Sequence, residues 1–223
     1  MNPNKIARNA GFLYLLLIPL GIFGILYVPA KLIVAGDISA TMNNILENEM
    51  LFRMSILSAF LVQFVNLIVV LLLYKFLKGV NKNAAVLMVL FLLLAIPIAF
   101  INELNNLAVL SLIKQEKASE SLISFFLDMH NSGIYIAQIF WGLWLFPMGY
   151  LIYRSGFIPK IIGVLLMIGC FGYVSDSIVY LLSLDLPMNV SEFTFIGEVV
   201  FPLWLIIMGV RNKIDLSAVN SNS

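Results

Sequence analysis

Six long apolar segments dominate this chain of 223 residues and restrict what it can fold into. They cover roughly residues 9–28, 51–74, 84–112, 122–152, 158–183 and 193–210. A helix that spans a bilayer needs about 20 mostly apolar residues, and each segment is of that order. Charged residues make up only 11% of the chain, whereas soluble domains average about 25%. The sequence therefore predicts an all-α membrane protein, a bundle of six transmembrane helices.

No polar stretch is long enough to form a second domain. We predict a single transmembrane domain over residues 1–213 and a flexible polar tail over residues 214–223. The first apolar run is longer than the roughly 7–15 apolar residues of a secretory signal peptide. It is therefore predicted to remain in the protein as the first helix.

The loop cations predict the orientation of the bundle. The ends and loops on one side carry nine Lys and Arg residues, and the loops on the other side carry four. Because cytoplasmic loops carry the excess of Lys and Arg, both termini should be cytoplasmic.

A short interfacial helix is predicted in the first outer loop. Residues 40–49 contain good helix formers, and Thr41 could cap the helix. One apolar stripe, suited to the outer membrane interface, would consist of Ile38, Met42, Ile45 and Leu46.

Four of the predicted spans contain a proline, and the fourth apolar segment is longer than a single span requires. Kinks are predicted at Pro19, Pro97, Pro147 and Pro202. The fourth segment is about 30 residues, so we expect either a tilted span with an extra turn or an interfacial helix that leads into a span.

Four carboxylates interrupt the apolar segments, namely Glu103, Asp128, Asp176 and Glu198. Counting about 1.5 Å per residue along each helix places them within a turn or two of one another in depth, near the outer face. A charged side chain at the centre of a spanning helix costs about 2.5–3.5 kcal/mol and usually faces an interior or a cavity. We therefore predict one acidic pocket that opens outward between several helices. The alternative is that some of these acids, Glu198 and Asp128 especially, reach the headgroup region and remain solvated.

Polar neighbours at helical spacing extend the predicted pocket. The predicted ligand-binding residues are Arg53, Glu103, Asn106, Asp128, Asn131, Tyr173, Asp176 and Glu198. Arg53 has two interpretations, as the counter-ion of the pocket or as the partner of Glu49 in a helix-end salt bridge. His130 is about 200° around its helix from Asp128 and shares a face with Ile134, Ala137 and Trp141, so it is interpreted as a packing or interfacial histidine.

The same acids are the candidates for a metal site. If a metal binds, the predicted ligands are Glu103, Asp128, Asp176 and Glu198, which would suit Mg²⁺ or Ca²⁺. A Cys/His zinc site is excluded, because the chain has one cysteine and one histidine. The sequence identifies no cofactor, and it has no basic patch for nucleic acid.

Several motifs carry a resemblance to a known family. They are Asp128-Met-His130, Phe140-Trp-Gly142, Tyr153-Arg-Ser-Gly-Phe-Ile-Pro159, Gly172-Tyr-Val-Ser-Asp176 and Gly197-Glu198. With these the chain resembles an uncharacterised bacterial integral-membrane family, domain of unknown function 4386. The resemblance implies a multi-pass protein of the bacterial inner membrane, and it implies no activity.

Three functions are compatible with these observations. The first is a protein that binds a small cation, a proton or a polar solute for transport or sensing, which the excess of acids favours. The second is a membrane-embedded enzyme, with or without a metal, that acts on lipid head groups. The third is a scaffold subunit held together by its polar layer. We favour the first; the sequence does not indicate the oligomeric state, and partners other than the lipid bilayer and such a solute are not identified.

Overall fold

The computed structural model describes residues 3–115, 119–184 and 188–209, and within these residues every regular element is a helix. A π-helical segment, Ile22–Tyr27, interrupts the first apolar run. The α-helices are α1 (Pro3–Gly21), α2 (Val28–Leu32), α3 (Ile38–Glu47), α4 (Glu49–Leu77), α5 (Lys82–Ile113), α6 (Glu120–Leu143), α7 (Leu145–Ser155), α8 (Lys160–Leu181), α9 (Ser191–Thr194) and α10 (Ile196–Ile207).

Five helical stretches are long and apolar enough to cross a membrane. They are Asn4–Leu32, Glu49–Leu77, Lys82–Ile113, Glu120–Ser155 and Lys160–Leu181. The prediction of an all-helical protein with membrane-spanning segments is confirmed. In the described part of the chain α10 has 12 residues, so the sixth span stays a prediction, as does the orientation. The predicted tail, residues 214–223, lies outside the described residues.

The long helices form a ring. Helix α4 packs between α1 and α5, α5 packs against α6, and α6 packs against α8. Helix α10 completes the ring by contacting both α8 and α1, while α7 packs against α5 and α8. Residues far apart in the chain are therefore neighbours, which is the condition for a site built from several helices.

The fourth apolar segment consists of two helices that meet at Trp144. The Trp144 N–H donates to the carbonyl of Phe140, and α7 then begins at Leu145. Pro147 lies in the first turn of α7, where an N–H has no partner within the helix, so the proline ring costs no hydrogen bond there. The predicted kink at Pro147 is thus a change of helix, whereas Pro19, Pro97 and Pro202 lie inside α1, α5 and α10.

Helix α3 is the helix expected in the first outer loop, but its cap differs from the prediction. Asp37 is the N-cap, and its Oδ1 accepts the Ala40 N–H at 2.8 Å. Thr41 is buried, and its Oγ1 accepts the Val34 N–H at 2.9 Å. The predicted cap at Thr41 is therefore wrong, because this hydroxyl bonds the preceding loop. Ile45 of the predicted stripe is buried in the bundle, and Leu46 is exposed.

Substituting Asp37 with alanine is expected to destabilise α3 by about 1 kcal/mol, because the Ala40 N–H loses its acceptor. Hydrogen exchange of residues 38–47 measures this loss, and it should be confined to that helix. Asp37→Asn keeps a capping oxygen and serves as the control. Equal exchange in the wild type and Asp37→Ala would show that the cap contributes nothing.

Two apolar clusters divide the bundle along its length. The larger one contains Leu73 of α4, Met88 and Leu92 of α5, Met148 of α7 and Phe201 of α10. The smaller one consists of Val28, Leu32, Ile45, Phe52, Ile56, Val109, Leu110, Ile113 and Ile123. Buried polar residues lie between them on two helices, and these are Gln63, Asn66, Asn102, Glu103 and Asn106. The polar layer is thus enclosed between apolar clusters, and the smaller cluster lies on its α3 side.

Candidate functional site

A cavity of about 50 Å³ lies in this polar layer, between the π-helical segment, α4, α5 and α6. Its polar lining residues are Ser55, Gln63, Asn102, Glu103, Asn106, His130 and Trp141. Apolar residues such as Leu20, Ala59 and Ile134 form the rest of the wall. A buried water requires roughly 10–15 Å³ by this kind of measure, so the cavity has room for a few waters or a solute of a few heavy atoms.

Glu103 is the centre of the polar lining. Its Oε2 accepts a hydrogen bond from Asn106 Nδ2 at 2.9 Å, and its Oε1 lies 3.2 Å from His130 Nε2. Only 7% of Glu103 is exposed. Because a buried carboxylate is costly without partners, these two contacts explain how the acid is accommodated.

The main chain of α6 is fixed against α5 at the same level. Asn102 Nδ2 donates to the carbonyl of His130 at 2.9 Å. Gly133 lies directly against the Asn102 side chain, and a Cβ at that position would overlap with it. The absence of a side chain at Gly133 therefore allows α6 to approach α5 closely enough for the contact between His130 and Glu103.

Two buried polar atoms in the cavity wall have no hydrogen-bond partner among the described residues. They are Gln63 Oε1 and Trp141 Nε1, one acceptor and one donor. Gln63 is 3% exposed, so bulk water does not satisfy it. Leaving such an atom unpaired costs about 1–3 kcal/mol, which indicates that the cavity is suited to an occupant with polar groups.

The π-helical segment forms one wall of the cavity. Gly24 and Ile25 of this segment line the cavity, next to Leu20 and Gly21 at the end of α1. Ser58 Oγ of α4 donates to the Leu20 carbonyl at 2.9 Å. Single π-helical turns inside α-helices occur frequently at functional sites. The prediction of a kink at Pro19 captured the irregularity of this helix but not its type.

Asp128 and Asn131, two of the predicted pocket residues, do not reach the cavity. Both are exposed, and the Asp128 carboxylate has a long contact of 3.5 Å from Ser124 Oγ. The prediction that Asp128 and His130 lie on different faces of one helix is confirmed. It is His130, with Ile134, Ala137 and Trp141, that faces the cavity. The assignment of the inward face to Asp128 is therefore corrected.

Arg53 forms the ordinary helix-end salt bridge. Its Nε lies 2.7 Å from Glu49 Oε1, and Lys114 Nζ lies 2.8 Å from the same oxygen. Arg53 is exposed. The salt bridge with Glu49 is confirmed, and Arg53 is not a lining residue of the cavity.

Asp176 binds main-chain groups near α9. Its Oδ1 accepts the Val190 N–H at 2.6 Å, and its Oδ2 accepts the Ser191 N–H at 2.9 Å. Gly172, one turn earlier, contacts Thr194 of α9, and the absence of a side chain there allows α9 to approach α8 closely. These contacts give Asp176 a role in fixing the connection between α8 and α10.

Glu198 lies in a third environment, between α1, α8 and α10. Tyr14 Oη donates to Glu198 Oε2 at 3.1 Å, and Tyr173 interacts with the same carboxyl group. Glu198 Oε1 has no partner of hydrogen-bond geometry in the described part of the chain. The four acids therefore do not form one chamber, and only Glu103 among them lines the cavity.

The separation of the acids also corrects the predicted metal site. Within residues 3–115, 119–184 and 188–209 there is no group of three or more His, Cys, Asp or Glu residues placed to hold a metal. Glu103 and His130 are two side chains of these types in contact with each other. The contact between them, 3.2 Å from His130 Nε2 to Glu103 Oε1, is a hydrogen bond between side chains of two helices.

The comparisons with known proteins identify the family. The family model described as Domain of unknown function (DUF4386) matches residues 9–209, and the chain belongs to this family. The chain is also 32% identical to an uncharacterized protein of Archaeoglobus fulgidus over 155 residues, which are 70% of this chain and 83% of that relative. No solved structure matches the chain. The family suggested by the sequence motifs is confirmed.

Proposed function

We propose that this multi-pass membrane protein binds a small cation or polar solute in the cavity around Glu103 and His130, for transport or sensing. The observation that carries the proposal is the pair of unpartnered polar atoms, Gln63 Oε1 and Trp141 Nε1, in the wall of a cavity that also contains a buried carboxylate. A layer that served only to hold the helices together would be expected to pair these atoms with each other or with neighbours.

The proposal includes a topology. Residues 193–210, which include α10, are the sixth span, both termini are cytoplasmic, and residues 1–213 form one domain in a bacterial inner membrane. Lys75, Lys78 and Lys82 then lie on the cytoplasmic side, as the positive-inside rule requires. In this orientation the cavity lies in the outer half of the bundle, with the smaller apolar cluster between it and the outer surface.

The smaller apolar cluster separates the cavity from the outer surface, and this restricts how a solute could be transported. Residues of the smaller cluster, such as Phe52 and Ile56, follow the polar layer on the outer side of α4. A solute that entered from outside would have to pass this cluster, so alternating exposure requires a helix to move. The π-helical segment, whose Gly24 and Ile25 line the cavity, is the element we expect to move, because its backbone hydrogen bonds already depart from the α-helical pattern.

Filling the cavity tests the proposal directly. Ala59 lines the cavity, and Ala59→Leu adds an isopropyl group to its wall. We expect methylammonium, potassium, urea or ethylene glycol to raise the melting temperature of the purified wild-type chain. A ligand at 100 times its dissociation constant stabilises the protein by about 2.7 kcal/mol, which shifts the melting temperature by several degrees. The shift should disappear in Ala59→Leu.

Leu61→Phe is the matched control, because Leu61 is on the same helix and exposed at the surface of the bundle. It adds bulk outside the cavity and should keep the ligand-induced shift. If none of the four solutes shifts the wild type, or if Ala59→Leu keeps the shift, the cavity is not a binding site.

A further inference from the structure

We propose that the solute is a small primary ammonium ion and that it binds in exchange for the proton of His130. This inference rests on the proposed function, since it concerns the same cavity. The geometry that motivates it is the contact between His130 Nε2 and Glu103 Oε1, in which a proton and a bound cation would compete for one carboxylate.

The cavity wall favours a cation. Its acceptors include the Glu103 carboxylate, Gln63 Oε1 and the oxygen of Asn106, whose Nδ2 already donates to Glu103. The unpaired donor of the same wall, Trp141 Nε1, would bind a water that enters with the ion, because an ammonium group offers no acceptor. Among its lining residues there is no lysine or arginine to bind an anion. Ser55 Oγ donates to the Phe52 carbonyl, so it too offers its lone pairs to the cavity.

The apolar part of the wall favours an organic cation over a metal ion. An ammonium group has three N–H donors, which Glu103, Gln63 and Asn106 could accept. Ca²⁺ requires six to eight oxygen ligands, and a bare ion gains nothing from the methyl groups of Ala59, Val62 and Ile134. A short alkyl chain on the ammonium does fit that wall. At about 50 Å³ the cavity admits only a few heavy atoms.

The charges explain the exchange. With His130 protonated, the pair of Glu103 and His130 is neutral, and an ammonium ion would leave one uncompensated positive charge in a buried site. With His130 neutral, the ammonium ion takes over the compensation of Glu103. Histidine is the side chain that can be either neutral or charged near neutral pH, so the exchange is tested between pH 5.5 and 8.5.

Other titratable groups on the elements around α6 are directed elsewhere. Glu103 is the only titratable side chain besides His130 that lines the cavity. On α6 itself, Asp128 is exposed on the opposite face and Tyr135 stacks on Tyr180. On the neighbouring helices, Asp176 is bound to the main chain near α9, Tyr173 interacts with Glu198, and Tyr180 is bound to Ser132. Nearer the helix ends lie Lys114, bound to Glu49; Glu120, bound to Ser39 of α3; Glu47, exposed on α3; and Arg154, at the far end of α7. The proton-dependent step is therefore assigned to His130, through its contact with Glu103.

Calorimetric titration of the full chain in lipid nanodiscs with methylammonium chloride tests the exchange. Methylammonium stays charged from pH 5.5 to 8.5, so any pH dependence belongs to the protein. We expect the affinity to rise by up to tenfold per pH unit from the acidic end and then to level off. Near the midpoint, titrations in two buffers of different ionisation enthalpy should show release of a fraction of a proton per bound ion, approaching one at lower pH.

Two variants sharpen the test. His130→Gln keeps a hydrogen-bond donor but cannot change its charge, so binding should become independent of pH and release no proton. At pH 5.5 it should bind methylammonium more tightly than the wild type. Asp128→Asn removes an acid from the opposite face of the same helix and should retain the wild-type pH dependence.

The outcomes separate the two proposals. Binding of urea or ethylene glycol without binding of methylammonium overturns the ammonium inference and leaves the cavity as a solute site. Binding of methylammonium with no proton release by the wild type overturns the exchange, whatever the variants do. Failure of all the solutes to bind overturns the proposed function itself.

Discussion

Alanine at Gly149 or Gly163 is expected to destabilise the bundle by about 3 kcal/mol or more. At these two glycines α7 and α8 are in main-chain contact. A Cβ at position 149 would lie 2.5 Å from the Gly163 carbonyl oxygen, and a Cβ at position 163 would lie 2.5 Å from the Gly149 carbonyl oxygen. Overpacking a core costs typically about 1–3 kcal/mol even when side chains can adjust, and here backbone atoms would have to move. Thermal and denaturant unfolding of the purified variants measure the loss.

Position 21 provides the matched control for this prediction. A Cβ at Gly21 would meet no other atom within 4 Å. Gly21→Ala should therefore unfold at the same temperature and denaturant concentration as the wild type, or at slightly higher values. The double variant at 149 and 163 should lose less than the sum of the single losses, because either substitution alone already forces α7 and α8 apart. Wild-type stability of both single variants would mean that the two helices are not in main-chain contact.

Hydropathy alone predicted the long helices, because a spanning helix requires a long run of apolar residues. The boundaries of α4 and α5, Glu49–Leu77 and Lys82–Ile113, extend the predicted segments 51–74 and 84–112 by a few residues. The added residues are partly polar, such as Glu49 and Lys82, and a count of apolar residues excludes them. The π-helical segment was not predicted, since its sequence, Ile22–Tyr27, is as apolar as a regular helix.

Helical spacing predicted which residues share a face, but not which face is inside. It correctly separated Asp128 from His130 and correctly grouped His130 with Trp141. The choice between the two faces depends on where α5 packs, and this is decided by Gly133 and Asn102, which contact each other across the helices. A tertiary contact of this kind has no signature in the spacing of one helix.

Estimates of depth placed the four acids at one level but contained no information on their partners. Asp176 binds the main chain of residues 190 and 191, and Glu198 binds Tyr14 from the other end of the sequence. Each contact depends on the order of helices in the ring. The excess of acids at one depth therefore predicted that they would take up protons or bind a cation, but not that Asp176 and Glu198 would each have partners of their own.

Glu103→Gln is expected to lower the affinity for methylammonium by at least about tenfold and up to about a hundredfold. A hydrogen bond to a charged group contributes about 1.5–3 kcal/mol, and a factor of ten in affinity corresponds to about 1.4 kcal/mol. Glutamine has the same shape as glutamate, so the cavity volume stays constant and the loss reports the charge. Calorimetric titration at pH 8, where the competing proton is scarce, measures it.

The same substitution should leave the free energy of unfolding within about 1 kcal/mol of the wild type. His130 Nε2 can still donate to the glutamine oxygen, and rotation of the Asn106 amide lets its oxygen accept the new N–H in place of the bond that Asn106 now donates. Interhelical polar contacts in membranes average only about 0.6 kcal/mol, and replacing a buried charge is often neutral or stabilising. Asp128→Asn makes the same change of charge at an exposed position and should alter neither quantity. A large loss of stability with unchanged affinity in Glu103→Gln would reverse this assignment, because Glu103 would then serve to hold α5 and α6 together and not to bind a ligand.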